Sequence, residues 1–131
     1  LEDKNHSRIL LISSQDPREE FIQGLSSSGI HFFHFSVYKI FCNKNEEFSA
    51  HFENSDTNYM IITSPSAVKG ILESLYYSDM SKIKARIISI GPTTTKAIRQ
   101  NGGDIFLQSE YQNLKVLYDN LGHIIFDDNH P

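Results

Sequence analysis

The sequence predicts an α/β fold: a parallel five-stranded sheet with helices on both faces. Three observations point to it. Short apolar or β-branched runs alternate with amphipathic helical stretches, the pattern of successive βα units. Three strand-to-helix turns carry proline where a helix begins, at Pro17, Pro65 and Pro92, a position where the missing amide donor costs nothing. Two of these turns also repeat. Residues 62–71 read ITSPSAVKGI and residues 89–98 read SIGPTTTKAI. Each runs from a strand through Ser or Gly, Pro and a hydroxyl residue to a Lys four places after the Pro, Lys69 and Lys96.

In chain order, residues 8–13 (RILLIS) form a short apolar strand. Asp16 stands as a helix cap, with Pro17 at the first helical position and Glu19 completing a capping box. Phe21, Ile22 and Leu25 then recur at helical spacing, and residues 26–29 end the helix. Residues 31–41 (HFFHFSVYKIF) are aromatic and β-branched and read as a strand, with Phe33, Phe35 and Val37 on one face and His34 and Ser36 on the other. Residues 43–58 are polar and read as a connector with room for one short helix over 46–53, Phe48 and Phe52 sharing a face.

Residues 59–63 form the next strand. Residues 65–77 form its helix, with Val68, Ile71, Leu72 and Leu75 as the apolar stripe. Residues 87–90 are a buried strand, and Gly91-Pro92-Thr93 turns into a helix over 94–100 that Gly102-Gly103 stops. Residues 104–107 make the last strand. Ser109 caps the last helix, with Gln112 at the capping-box position and Leu114, Leu117, Tyr118 and Leu121 facing inward. Residues 122–131 read as a loose tail in which Ile124, Ile125 and Phe126 are able to dock. The organisation is thus a single α/β domain over 1–131, with a first βαβ unit over 8–41, a connector over 42–58, the remaining βα units over 59–121 and a tail over 122–131. Its layout is flavodoxin-like.

Composition narrows the function. The chain has 131 residues and 39% hydrophobic content, enough for one modest core. A net charge of −4 gives no reason to expect a nucleic-acid partner. A single cysteine, Cys42, excludes an intrachain disulfide and fits a cytoplasmic setting. No apolar run reaches membrane-spanning length, and the polar start LEDKNHSR is no signal peptide. His31, His34 and His51 have no metal-ligand spacing and no completing acid or cysteine. A phosphoacceptor receiver domain would share the fold class, but Ser64-Pro65 follows strand 59–63 where that domain needs Asp.

Open sheets of this kind bind ligands outside the carboxyl ends of their strands. That rule places Ser64-Pro65-Ser66 and Gly91-Pro92-Thr93-Thr94 on one rim. The helix beginning at Pro92 turns free amides and the positive end of its dipole toward that rim, a setting for an anion. Ser64, Ser66, Thr93 and Thr94 add hydroxyl donors, and Ala67 and Thr94 lie where helix amides are free. The competing reading is that these hydroxyls only cap their own helices.

The segments MIITSPSAVKGILE and IISIGPTTTKAIRQNGG resemble the C-terminal half of uroporphyrinogen-III synthase. The flanking segments ILLISSQDPREEFIQGLSSSGIHFFHFSVYKI and DIFLQSEYQNLKVLYDNL are similar to that family's preceding and following elements, in the same order, so the resemblance runs from Ile9 to Leu121. The family's chains carry two similar lobes, and the N-terminal half has no counterpart here. The resemblance implies a hydro-lyase of tetrapyrrole (haem) biosynthesis that closes hydroxymethylbilane into uroporphyrinogen III. Water is lost and the last pyrrole ring is inverted through a spiro intermediate, with no cofactor and no metal. It further implies that Ser64, Ser66, Ala67, Gly91, Thr93 and Thr94 hold the substrate's carboxylates, and that Tyr38, in the family's Val-Tyr pair, donates a proton to the departing hydroxyl. A tyrosine is protonated at neutral pH and able to donate, although a strand tyrosine that merely packs its ring gives the same signal. Set against the enzyme is a non-catalytic flavodoxin-like binding module that kept the fold and lost the partner lobe. The expected assembly is a compact monomer in which the first βαβ unit joins the sheet containing residues 87–90, or else a segment-swapped homodimer.

Overall fold

The computed structural model describes residues 8–110 and 114–128, without the side chains of residues 114 and 124–128. In order, the elements are β1 (Arg8–Ser14), α1 (Glu19–Ser27), β2 (His31–Tyr38), α2 (Glu46–Asn54), β3 (Tyr59–Ile62), α3 (Pro65–Leu75), a 3₁₀ turn (Met80–Lys82), β4 (Arg86–Ser89), α4 (Pro92–Gln100), β5 (Leu107–Gln108) and α5 (Leu114–Asp128). The mixed α/β class and the parallel strands are as the sequence predicts. The single five-stranded sheet is not: β1 and β2 form a two-stranded parallel sheet, and β3, β4 and β5 form a separate three-stranded one in the order β3-β4-β5. The chain accordingly divides into two compact units, Leu1–Phe41 and Cys42–Pro131.

In the first unit, β1 runs beside β2 from Arg8↔His31 to Ser13↔Ser36, with a bulge before Ser14↔Tyr38. β1 pairs with no strand of the other sheet, so the expected addition of residues 8–13 to the sheet containing residues 87–90 is not made. α1 starts later than the capping-box reading implies. Its cap position is Arg18, with no side-chain cap, and Glu19 instead accepts from Gln23 Nε2 at 3.0 Å one turn along. Ser14 Oγ donates to the Asp16 carbonyl at 3.0 Å, which commits residues 14–16 to a turn and delays the helix. Phe21, one of the apolar residues at helical spacing, is 55% exposed.

The second unit contains both cores. Ile87 and Ile88 are consecutive on β4 and therefore point to opposite faces of the sheet. On one face Ile62, Val68, Leu75, Met80, Ile87 and Ile98 are buried together, with Phe48 and Phe52 of α2 packed against them. On the other, Ile88 packs with Leu117 and Leu121 of α5. Helices therefore cover both faces of the three-stranded sheet. The stretch read as a connector is a capped helix, Asn45 Oδ1 accepting from Phe48 N at 2.9 Å, and it belongs to the first core.

Several boundaries shift. α3 ends at Leu75 because Tyr76 takes a left-handed conformation, φ 53°, and its N–H returns to the Leu72 carbonyl. β5 is two residues long and lies later than expected, because Ile105 is drawn into the first core after the Gly102-Gly103 turn. Tyr118, expected inward, is 63% exposed. The backbone of the expected tail is helical to Asp128. Gln112, the inward placement of Leu114 and the docking of Ile124, Ile125 and Phe126 lie outside the described residues.

The turn after α3 is held by Asp79. The Ser81 side chain and backbone N–H and the Ser78 hydroxyl all donate to it, and with Lys82 nearby they hold its carboxyl below the ordinary value. A depressed folded value means that the stabilising contribution is present in full above the unfolded value. It is lost as pH falls through the folded one. Asp79→Asn is therefore expected to flatten the acid limb of the stability–pH curve; an unaltered limb would show that this carboxylate does not contribute.

Candidate strand-end anion site

The sequence-predicted rim residues of the second unit stand at the carboxyl ends of neighbouring parallel strands. β3 and β4 pair from Tyr59↔Arg86 to Ile62↔Ser89, and Ile90 N donates to the Ile62 carbonyl at 3.1 Å just beyond the last pair. The chain then enters α3 and α4, each with proline in its first turn. The spacing that repeats in the sequence therefore repeats in space, on adjacent strands.

The two helix starts are nevertheless chemically different. Ser64 caps α3: its Oγ accepts from Ala67 N at 3.2 Å and lies 3.1 Å from Ser66 Oγ. For Ser64 and Ala67 the capping reading therefore describes what the groups do. Gly91 occupies the equivalent place before α4 in an extended conformation, and α4 has no side-chain cap. Glycine has no oxygen to offer, so the amides at the start of α4 keep their capacity for an outside acceptor.

The hydroxyls divide similarly. Ser66 is exposed and Thr93 half-buried, whereas Thr94 is buried at 3% exposure, so it is not the outward rim hydroxyl that the sequence suggests. The buried face of α4 is fixed by a hydroxyl pair that the sequence reading missed: Ser89 Oγ and Thr95 Oγ1 are hydrogen-bonded beneath the turn. The signal was available, because Ser89 interrupts an otherwise apolar strand run and a hydroxyl at that place needs a partner. Lys69, one of the repeated lysines, lies 3.7 Å from Glu73 along α3.

Ser109 is the third strand end. Its N–H donates to the Ser89 carbonyl at 2.9 Å, continuing the β4–β5 pairing. Its Oγ is fully buried and has no hydrogen-bond partner among the described residues. Serine thus stands at, or within two residues of, the end of each of the three strands, as Ser64, Ser89 and Ser109.

Tyr38 belongs to the first unit. It ends β2 opposite Ser14, its carbonyl accepts from Gln15 N at 2.8 Å, and its side chain is 56% exposed. A proton donor to a ligand must be reachable, and this side chain is. Elsewhere in the second unit a cavity of about 530 Å³ opens at the amino end of β4, beside Lys84, Arg86, Asp104 and Phe106. Arg86 is held there over the rings of Tyr59 and Phe106. The strand-end rule for open α/β sheets favours the opposite, carboxyl end as the ligand site.

A family model described as uroporphyrinogen-III synthase HemD matches residues 1–119. The chain belongs to the uroporphyrinogen-III synthase family. No curated protein and no solved structure matches it. The match spans residues of both units. No described helix is long and apolar enough to cross a membrane.

Proposed function

We propose that this chain supplies the catalytic and substrate-holding elements of a uroporphyrinogen-III synthase, closing hydroxymethylbilane to uroporphyrinogen III in tetrapyrrole biosynthesis. The observation that carries this reading is the uncapped start of α4 beside the self-capped start of α3. A substrate carboxylate at Gly91, Thr93 and Thr94 would accept from the α4 amides, and the helix dipole favours its charge. Ser66 and the exposed part of Thr93 offer neutral donors beside it. Held by several carboxylates, a flexible linear tetrapyrrole loses much of its conformational freedom. Its reactive carbon then meets the correct atom of the last ring. Tyr38 gives its phenolic proton to the departing hydroxyl, which leaves as water. The substituted carbon of the last ring attacks first and gives the spiro intermediate. Its bond to the neighbouring methylene then breaks and the ring inverts. The methylene reattaches at the free α-carbon of that ring, which loses a proton and restores the balance. Ser64 and Ala67 act through the shape of the α3 turn, since their own hydrogen bond is already made.

Type III and type I isomers separate the readings, because hydroxymethylbilane closes spontaneously to type I. The full chain with freshly made hydroxymethylbilane is expected to yield type III above that background. Tyr38→Phe should lower the type III rate about 10²-fold or more, the scale of a lost general acid, with the fold intact by circular dichroism. Background type I alone would sink the catalytic reading and favour the alternative, a binding module derived from the family. A full-rate Tyr38→Phe variant would remove only that residue's role.

A further inference from the structure

The two matched turns differ at one further place. The repeat of residues 62–71 in residues 89–98 sets Ile62 against Ser89 and Val68 against Thr95. All four side chains are buried. Under α3 the pair is apolar and belongs to the first core. Under α4 it is two hydroxyls, Ser89 Oγ and Thr95 Oγ1, hydrogen-bonded to each other. The fold does not require hydroxyls here, since the same strand-to-helix turn forms over Ile62 and Val68 on the adjacent strand. Nor does stability favour them. Exchanging both partners of a buried hydrogen bond for apolar groups of the same shape is nearly neutral, or a gain. What the bonded pair adds is direction, because a hydrogen bond constrains angle as well as distance.

The direction it fixes is that of the open amides. Thr95 is tied to both ends of the short link between β4 and α4. Its Oγ1 bonds Ser89, the last residue of the strand, and its N–H donates to the Gly91 carbonyl at 3.0 Å. Pro92 has no N–H, so the open donors of the first turn are the amides of Thr93 and Thr94. α3 has its own tie at this place, the Ser64 cap on Ala67 N, whereas α4 has no side-chain cap. We propose that Ser89 and Thr95 are positioning residues, which aim the Thr93 and Thr94 amides at a substrate carboxylate. This rests on the synthase reading above.

The test measures kcat/KM for type III formation and the thermal midpoint of the full chain. Thr95→Val keeps the shape, breaks the pair and leaves Ser89 Oγ buried alone, so both quantities are expected to fall. The double variant Ser89→Ala, Thr95→Val removes both hydroxyls. Its midpoint is expected to recover while kcat/KM stays at least about tenfold down, the scale on which a slightly misplaced holding group acts. Thr95→Ser keeps the hydroxyl and is expected to keep kcat/KM near that of the unaltered chain. A pair that served the fold alone would let activity return with the midpoint. A double variant as active as the unaltered chain would therefore overturn the proposal. So would a double variant that fails to fold, or a Thr95→Ser variant as slow as Thr95→Val. Type I product alone from the unaltered chain would overturn the synthase reading itself, and the proposal with it.

Discussion

Gly91→Asp is expected to lower type III formation at least about tenfold. Gly91 is buried at the start of α4, so the fold of the variant is checked beside its rate. Asp is among the best helix caps, and exchanging Gly for it at a cap position gains a few tenths of a kcal/mol where the side chain has room. The backbone at Gly91 is extended, φ 169°, a conformation open to any residue. An Asp side chain there would accept from the same α4 amides that are otherwise open to a substrate carboxylate, and it would set a negative charge against an anionic ligand. Preorganised donors of this kind typically account for about 100- to 1,000-fold in rate when one is lost. Gly91→Ser serves as the control, since it caps without charge and is expected to fall between the two. The measurements are the type III rate and the thermal midpoint on the same preparations. An Asp variant with undiminished activity would show that the start of α4 holds no carboxylate. The type III assay on the unaltered chain separately reports whether there is an activity to lose.

The largest expected effect on stability lies at Gly103→Ala. A methyl group there would stand 2.6 Å from Ile98 Cγ2 and 2.8 Å from Met80 Cβ, both closer than such contacts occur. Neither neighbour is able to swing away: Ile98 is fully buried and Met80 is 1% exposed, and Met80 N is tied to the Asn101 carbonyl at 2.7 Å. Overpacking of this kind costs about 1–3 kcal/mol, a drop of roughly 4–8 °C in thermal midpoint per kcal/mol for a unit of this size. Gly70→Ala provides the opposite case in the same unit. Gly70 lies inside α3 with nothing within 4 Å of the added carbon, and the substitution is expected to stabilise by about 0.5–1 kcal/mol. Equal midpoints for the two variants, by heat or urea, would contradict this account of the α4–β5 turn.

The strand-proline-helix units at residues 62–71 and 89–98 are legible because each signal is local. Apolar runs, a proline that fits the first helical position and a hydroxyl or glycine before it lie within ten residues of one another. The capping box at Asp16–Glu19 was legible in the same way and did not form, because Ser14 Oγ binds the Asp16 carbonyl and starts the turn two residues early. Of the candidate site, the positions of Ser64, Ser66, Gly91 and Thr93 at adjacent strand ends were readable. The inward rotation of Thr94 and the Ser89–Thr95 hydroxyl pair were not, since both depend on how α4 packs across β4.

The sequence by itself determined the order of the strands and helices up to the start of α5, the parallel sense of the strands and the two matched turns. Local conformation and hydrophobic period are properties of neighbouring residues, so one chain read in order suffices for them. Only the tertiary structure decided which strands lie side by side. A parallel strand carries no mark of its partner, since its lateral hydrogen bonds are made by backbone groups that every strand possesses. Here α2 packs Phe48 and Phe52 onto the first core, so residues 42–58 belong to the second unit, while β1 and β2 pair only with each other.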